Sequence, residues 1–227
     1  MTDNYYAQKL NASNLHRVYE TRIERVKRYL DAEIDFVRRS LRGDERILEL
    51  GAGYGRIMKA LAPFAASVTG IDISEDSVAF GREYLADAPN CRIEAMDAHA
   101  LAFDAEFDVV LCLQNALSAM KGDATDTVAR CVKALVPGGT LYCSSYSAKF
   151  WEHRLAWFRE QADKGLLGAI DEEKTRDGLI VCRDGFVART FSPDDLDALG
   201  RASGHPYRVE EVDESSVFLV IEKKATK

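Results

Sequence analysis

Three glycines at alternate positions follow a short apolar run in Ile47-Leu48-Glu49-Leu50-Gly51-Ala52-Gly53-Tyr54-Gly55-Arg56. Glycine tolerates positive φ and lets a ligand come close to the main chain. A helix that starts behind such a loop presents N–H groups with no intrahelical partner. The segment is therefore suited to holding a polar small molecule against backbone. It does not fit the dinucleotide spacing G-x-G-x-x-G. With Gly51 and Gly53 as the first two glycines, the third position falls on Arg56, where helix–strand packing needs a small residue. The pattern is instead acid-x-G-x-G-x-G, led by Glu49.

Two further acids fall at matching places. Val68-Thr69-Gly70-Ile71-Asp72-Ile73 reads as a strand that ends in Asp72, 23 residues after Glu49. A carboxylate at such a strand end can accept from both hydroxyls of a ribose. Asp97 follows a third strand in Ala95-Met96-Asp97-Ala98. Three successive strands thus end in or beside acids, on the edge where doubly wound sheets bind ligands.

The elements that must position these residues alternate. Strands are expected at Arg46–Leu50, Ser67–Ile71, Cys91–Met96, Phe107–Leu113 and Thr140–Ser145. Helices are expected at Tyr54–Ala62, Glu75–Leu85 and Ala124–Leu135, the second capped by Ser74 and the third ended by Pro137-Gly138-Gly139. Apolar strands alternating with helices indicate a parallel sheet covered on both faces. Ahead of them, apolar residues at helical spacing predict one long helix from about Leu15 to Leu41, with Asn14 at its cap. Its eight basic and five acidic residues interleave as a solvated, salt-bridged face. Beyond Ser145 the rhythm breaks. Phe150–Asp163 reads as a helix rich in aromatics, and Arg183-Asp184-Gly185 as the turn of a hairpin. Ser192-Pro193-Asp194-Asp195 opens a further helix. Tyr207–Val212 and Ser216–Glu222 close the chain as two antiparallel strands.

The acid–glycine loop with Asp72 and Asp97 resembles the class I S-adenosylmethionine-dependent methyltransferases, of the small-molecule, ubiquinone/menaquinone-methyltransferase-like kind. The resemblance covers residues 46–146 by motif and 192–223 by element order. It implies an α/β fold: a Rossmann-like, doubly wound, seven-stranded and mostly parallel sheet with a C-terminal antiparallel hairpin. An N-terminal helix and an α+β insertion after strand five complete it. One methyltransferase domain is expected over 1–227. Within it, 1–45 is an N-terminal helical segment, 46–146 the cofactor-binding core, 147–190 a lid or substrate insertion, and 191–227 the closing helix and hairpin. The implied cofactor is S-adenosyl-L-methionine, leaving as S-adenosyl-L-homocysteine. By the same resemblance Gly51, Ala52, Gly53 and Gly55 pass close to its methionine and ribose. Glu49 faces the cationic end, Asp72 holds the ribose and Ile73 lies on the adenine. Asp97 and the Ala98 N–H meet the adenine edge, and Gln114 lines the sulfonium side. Pro137-Gly138-Gly139-Thr140 matches the family's turn into strand five.

The implied reaction is in-line displacement, for which positioning and water exclusion are the protein's main tasks. The loop after strand four, Leu113-Gln114-Asn115-Ala116-Leu117, lacks the Asn/Asp-Pro-Pro-aromatic signature of amide and base N-methylases. With 30 basic against 37 acidic residues the net charge is −7, which disfavours a nucleic-acid partner. A small-molecule acceptor is left, methylated on O, N or S. His153, Asn115 and Tyr6 are the candidate catalytic residues, His153 as base and Asn115 to orient the acceptor. Tyr5, Tyr6, Tyr146, Phe150, Trp151 and Trp157 could wall the acceptor pocket. Arg154, Arg159, Arg183 and Arg189 would suit an anionic substrate if they point inward. No apolar run reaches the roughly 18 residues of a membrane span, and no signal peptide is visible, so a cytoplasmic monomer or homodimer is expected. Five cysteines without a C-x-x-C pair argue against a structural metal or disulfide framework, leaving a thiol or metalloid site on Cys112, Cys143 and Cys182 as a minor branch. The competing functions are a non-catalytic S-adenosylmethionine-binding module and an NAD-linked oxidoreductase on a related sheet.

Overall fold

The computed structural model describes Tyr5 and residues 9–225. Helices α1 (Ala12–Tyr19) and α2 (Glu24–Arg38) lead into strand β1 (Arg46–Leu50). Then follow α3 (Arg56–Leu61), β2 (Ser67–Asp72), α4 (Glu75–Tyr84), β3 (Cys91–Ala95), β4 (Phe107–Cys112), α5 (Ala116–Met120), α6 (Ala124–Ala134) and β5 (Leu135–Tyr146). The insertion contributes α7 (Trp151–Asp163), β6 (Leu179–Val181) and β7 (Val187–Arg189). Helix α8 (Pro193–Ala202) and strands β8 (Tyr207–Val212) and β9 (Ser216–Glu222) close the chain.

Seven strands form one sheet in the order β3-β2-β1-β4-β5-β9-β8, and β6 pairs with β7 in a separate hairpin. The pairs among β1–β5 are all parallel, while β9 runs antiparallel to both β5 and β8. Alternate residues of each strand face opposite cores, and both faces are dry. Leu48, Val110, Leu141 and Leu219 pack toward α6 and α8. Ile47, Val109, Tyr142 and Phe218 pack with residues of α2, α3 and α4. A third cluster joins α2 to the insertion through Val26, Tyr29, Trp157, Phe158 and Ile180. Strand order reverses between β1 and β4, so the crevice beyond their carboxyl ends is the place where such sheets take ligands.

Two expectations are corrected. The N-terminal helix is not continuous: it starts at Ala12, with Asn11 rather than Asn14 at its cap, and breaks between Tyr19 and Glu24. The break has a polar cause. Glu160 on α7 accepts from the Thr21 hydroxyl at 2.5 Å and the Arg22 N–H at 3.1 Å, and Thr21 Oγ1 in turn accepts from Ile23 N–H. These N–H groups are satisfied outside a helix, so α1 is free to turn across the sheet edge. The other correction concerns Pro137-Gly138-Gly139. They do not form a turn outside the sheet but belong to β5, where a register slip sets Phe107 against Leu135 and Val109 against Thr140. Reciprocal N–H···O=C bonds tie Gly138 and Gly139 to Lys223 just past β9.

The charged face of α2 is ion-paired as its interleaved sequence implies. Arg25 and Arg28 both reach Asp213, Lys27 meets Glu24, and Arg38 meets Asp35.

Candidate active site

The glycine loop leaves β1 with positive φ at Gly51, Gly53 and Gly55 (+69°, +58° and +87°). Asp72, at the end of the neighbouring strand, fixes it. One carboxylate oxygen accepts from the Gly53 N–H at 2.8 Å and the other from the Ser74 N–H at 2.9 Å. Each oxygen keeps lone-pair capacity for a further donor. Burial raises the Asp72 carboxyl, opposed by those two N–H bonds. Ile73, the next residue, is a large side chain left 42% exposed. At the end of β3, Asp97 is exposed and caps a short helical turn through the His99 N–H at 2.9 Å. That cap uses one carboxylate oxygen and leaves the other over.

One cleft takes in most of these groups. It is lined by Glu49, Gly51, Ala52, Gly53, Asp72, Ile73, Asp97, Ala98 and Gln114. Gly55 is not among them: it turns the chain into α3, and a β-carbon there would meet Leu85 at 2.7 Å. Glu49 is buried rather than on the surface, and its Oε2 has no hydrogen-bond partner. Burial pushes its carboxyl up to about 8, against the opposing charge of Arg56. Gln114 and Asn115 both sit at positive φ, in a strained turn off β4. Gln114 Oε1 accepts from the Tyr19 hydroxyl at 2.9 Å, while its Nε2 is buried without a partner.

The far wall comes from segments remote in sequence. Leu15, Val18 and Tyr19 of α1 close over the glycine loop, and Tyr146, Trp157, Phe158, Gln161 and Phe186 complete the enclosure. Trp157 Nε1 donates to the Val18 carbonyl at 3.1 Å, binding α1 to the insertion. Arg56 lies in the cleft with its guanidinium over the Tyr19 ring, 4.6 Å from the centroid. Among these, the sequence pattern had flagged only Tyr146 and Trp157 as wall residues. Nothing local marked α1, whose apolar residues fit a longer helix equally well.

Other expectations fail on geometry. His153 is exposed on α7, beside Phe150 and outside the cleft. Asn115 is buried, but its amide donates to the Arg189 carbonyl at 2.8 Å and accepts from Ser145 Oγ at 2.8 Å. It secures β7 to the sheet and does not line the cleft. Tyr6 lies outside the described residues. Phe150 and Trp151 do not line the cleft, and Tyr5 packs on Phe186 and donates to Asp184. Of the four arginines only Arg154 points inward. It donates to Gly178 O, Thr190 Oγ1 and Ala188 O, so it holds the hairpin. Cys112 and Cys143 are cross-strand neighbours in the sheet, whereas Cys182 belongs to the insertion's core. Among the described residues no group of three His, Cys, Asp or Glu is placed to hold a metal.

Comparison with known proteins agrees with the cleft's chemistry. Residues 47–139 match the model of a methyltransferase domain. A ubiquinone biosynthesis O-methyltransferase of Hydrogenovibrio crunogenus is 26% identical over 84% of this chain and 70% of its own length. One from Idiomarina loihiensis is 31% identical over 50% of this chain and 51% of its own. The chain thus spans about half the length of several curated relatives. Among solved structures, the N-methyltransferase NodS of Bradyrhizobium japonicum with bound S-adenosylhomocysteine has a TM-score of 0.61 at 17% identity, over 97% of this chain and 99% of its own. A [4+2]-cyclase, SpnF, scores 0.62 at 17% identity, over 86% and 81%. At such identities the structures establish the fold, and the cyclase shows that the fold alone does not set the reaction.

The residues fit S-adenosylmethionine. Asp72 has lone pairs left for ribose hydroxyls, Ile73 offers an apolar face, and the glycine loop gives close backbone approach. The orphaned Glu49 Oε2 and Gln114 Nε2 await polar partners inside the cleft. The domain match begins at β1 and spans the acid–glycine loop, Asp72 and Asp97, so the part of the chain that is similar to a methyltransferase domain is the part that supplies this edge of the cleft.

Proposed function

We propose that this enzyme methylates a small molecule with a flat, apolar body, at an oxygen, nitrogen or sulfur atom. The observation that carries this reading is the continuity of the cleft. It runs from Asp72 and Ile73, past Gln114, to an aromatic wall of Tyr146, Trp157, Phe158 and Phe186. The relatives named for O-methylation in ubiquinone biosynthesis make a phenolic hydroxyl the first acceptor class to try.

The sulfonium of the donor supplies a methyl carbon already activated for displacement. The chain's own part is placement. Asp72 would hold the ribose, with Ile73 against the adenine and Asp97 and Ala98 at its edge. Gly51, Ala52 and Gly53 would bring main chain to the methionine and ribose. Helix α1 and the insertion keep water out, which strengthens every polar contact inside. Tyr19 and Tyr146 are two of the phenols that line the cleft. Burial pushes Tyr19 up to about 12 and raises Tyr146 as well, so both stay protonated at neutral pH and neither serves as a general base there. An acceptor that loses its proton easily, or that attacks through a lone pair, suits such a wall.

The same reading makes 1–227 one methyltransferase domain with residues 147–190 as its acceptor lid. It places the enzyme in the cytoplasm, as a monomer or homodimer without a nucleic-acid partner. The net charge of −7 supports the last point, and no described helix is long and apolar enough to cross a membrane.

The test is calorimetric titration with S-adenosylhomocysteine and NAD, followed by S-adenosylhomocysteine release from S-adenosylmethionine and a panel of phenols, catechols, amines and thiols. Micromolar binding of the first ligand and turnover of a planar acceptor are expected. Binding without turnover of any panel member would favour a non-catalytic S-adenosylmethionine-binding module. Binding of NAD alone would overturn the reading.

A further inference from the structure

Helix α7 buries Arg154, Trp157, Phe158 and Gln161, whose spacing of three and four keeps them on one face. The other polar groups on or beside that face are spent on structure. Arg154 holds the hairpin, the Trp157 N–H holds α1, and Glu160 holds the break between α1 and α2. Gln161 has no such task. It is 3% exposed and lines the cleft, one turn beyond Trp157 and Phe158. Its main-chain carbonyl accepts from the Leu166 N–H at 3.0 Å, but its carboxamide makes no hydrogen bond to any described residue. Neither amide atom is sealed in by protein, so the little surface they keep opens on the cleft. An amide enclosed without a partner costs more than an apolar side chain of the same size. The wall around it is fixed. Arg17 donates to the Lys164 carbonyl at 3.4 Å and Lys164 Nζ to the Glu20 carbonyl at 2.6 Å, clamping the end of α1 to the end of α7.

A carboxamide offers a hydrogen-bond donor and an acceptor side by side. Its complement is an edge with an acceptor beside a donor, as in a lactam or another cis-amide. Such two-bond pairs discriminate against edges that lack either group. We propose that Gln161 is a specificity residue for the methyl acceptor, and that this acceptor is a planar ring carrying a lactam-type edge. Trp157 and Phe158 supply apolar surface for the ring, and the Gln161 amide fixes its register along the wall. The proposal rests on the reading that the aromatic end of the cleft takes the methyl acceptor.

The probes are quinolin-2(1H)-one, which has that edge, and quinoline, which has the same two rings but no N–H. Both are titrated calorimetrically into the chain saturated with S-adenosylhomocysteine. Wild type should bind the lactam roughly 5- to 150-fold more tightly than quinoline, the range for a two-bond amide pair against a mismatched edge. Gln161→Leu should abolish that preference, to within about twofold, while quinoline affinity holds or rises. Retained S-adenosylhomocysteine binding shows that the variant is folded. Should Gln161→Leu lose it, Gln161→Met, unbranched and adaptable, makes the same test. A preference that survives the substitution, or a wild type that does not prefer the lactam, overturns the proposal. A wild type that binds S-adenosylhomocysteine but neither ring system overturns the reading of an acceptor end, and the proposal with it. Failure to bind S-adenosylhomocysteine at all is a separate outcome, which overturns the reading of the whole cleft.

Discussion

The carboxylate of Asp72 accepts the Gly53 N–H at 2.8 Å, joining the end of the second strand to the middle of the glycine loop. The acid expected to hold the ribose is therefore also the anchor of the loop beside it. Substitutions at Asp72 act on both. Asp72→Ala should weaken S-adenosylhomocysteine binding by about 1.5–3 kcal/mol, the range for hydrogen bonds to a charged group. Asp72→Asn keeps one acceptor oxygen for either Gly53 or Ser74, so it should lose less. Calorimetry on the two variants separates the effects. Unchanged affinity in Asp72→Ala would mean that the ribose sits elsewhere.

Gly53 carries a second relationship that no motif foretells. A β-carbon there would lie 2.5 Å from Leu15 Cδ2, and its φ of +58° is left-handed. Gly53→Ala should therefore cost about 1–2 kcal/mol in backbone strain and also displace the Leu15 side chain, loosening its contact with the loop. We expect S-adenosylhomocysteine affinity to fall at least tenfold, and limited proteolysis near residues 20–23 to quicken. The double variant Gly53→Ala/Leu15→Ala relieves the clash but not the φ. Its proteolysis should then owe nothing further to Gly53, and the two substitutions should be non-additive. Additive losses would show that Leu15 does not sense the loop.

The sheet and the cleft residues at the ends of β1, β2 and β3 were legible because their signals are local. Strand periodicity, the glycines, and the acids at strand ends are written in consecutive residues, and Ser74 and Ser192 cap their helices as their positions imply. The acceptor half was not. His153 and Asn115 looked chemical by type, yet a side chain's direction depends on partners such as Ser145 and the Arg189 carbonyl, far away in sequence. The break that frees α1 is set by Glu160, 139 residues from Thr21. Arg56 was legible only as a misfit to the dinucleotide spacing, because its place over the Tyr19 ring depends on α1.

Glu33 on α2 is fully buried and faces Ser144 and Ser216, with Ser216 Oγ donating at 2.8 Å. Burial raises its carboxyl from 4.5 to about 7, against the help of both serines. The folded state thus binds a proton that the unfolded chain releases above its own value near 4.5. Stability is greatest below that pH and declines as pH rises toward 7, then levels off. The shift corresponds to about 3 kcal/mol of penalty at pH 8. Glu33→Gln keeps a carbonyl acceptor and removes the ionisation. Its stability relative to wild type should rise between pH 4.5 and 7.5 in urea unfolding. A difference independent of pH would show that Glu33 does not titrate in that range.

Trp157 and His153 stand about one turn apart on one helix and should behave in opposite ways. His153 is exposed and outside the cleft, so His153→Ala should leave kcat/KM within twofold and the pH profile unaltered once an acceptor is found. Loss of the acidic limb of the profile in that variant would restore it as the base. Trp157 is buried, lines the cleft, and ties the insertion to α1 through the Val18 carbonyl. Trp157→Phe keeps most of the ring and removes the N–H. One neutral hydrogen bond contributes about 0.5–1.5 kcal/mol, so the loosened helix should raise KM for S-adenosylmethionine roughly 2- to 12-fold. Because α1 encloses the donor rather than touching the reacting atoms, kcat should change less than KM. A fall in kcat with KM preserved would instead place Trp157 against the transferring methyl group.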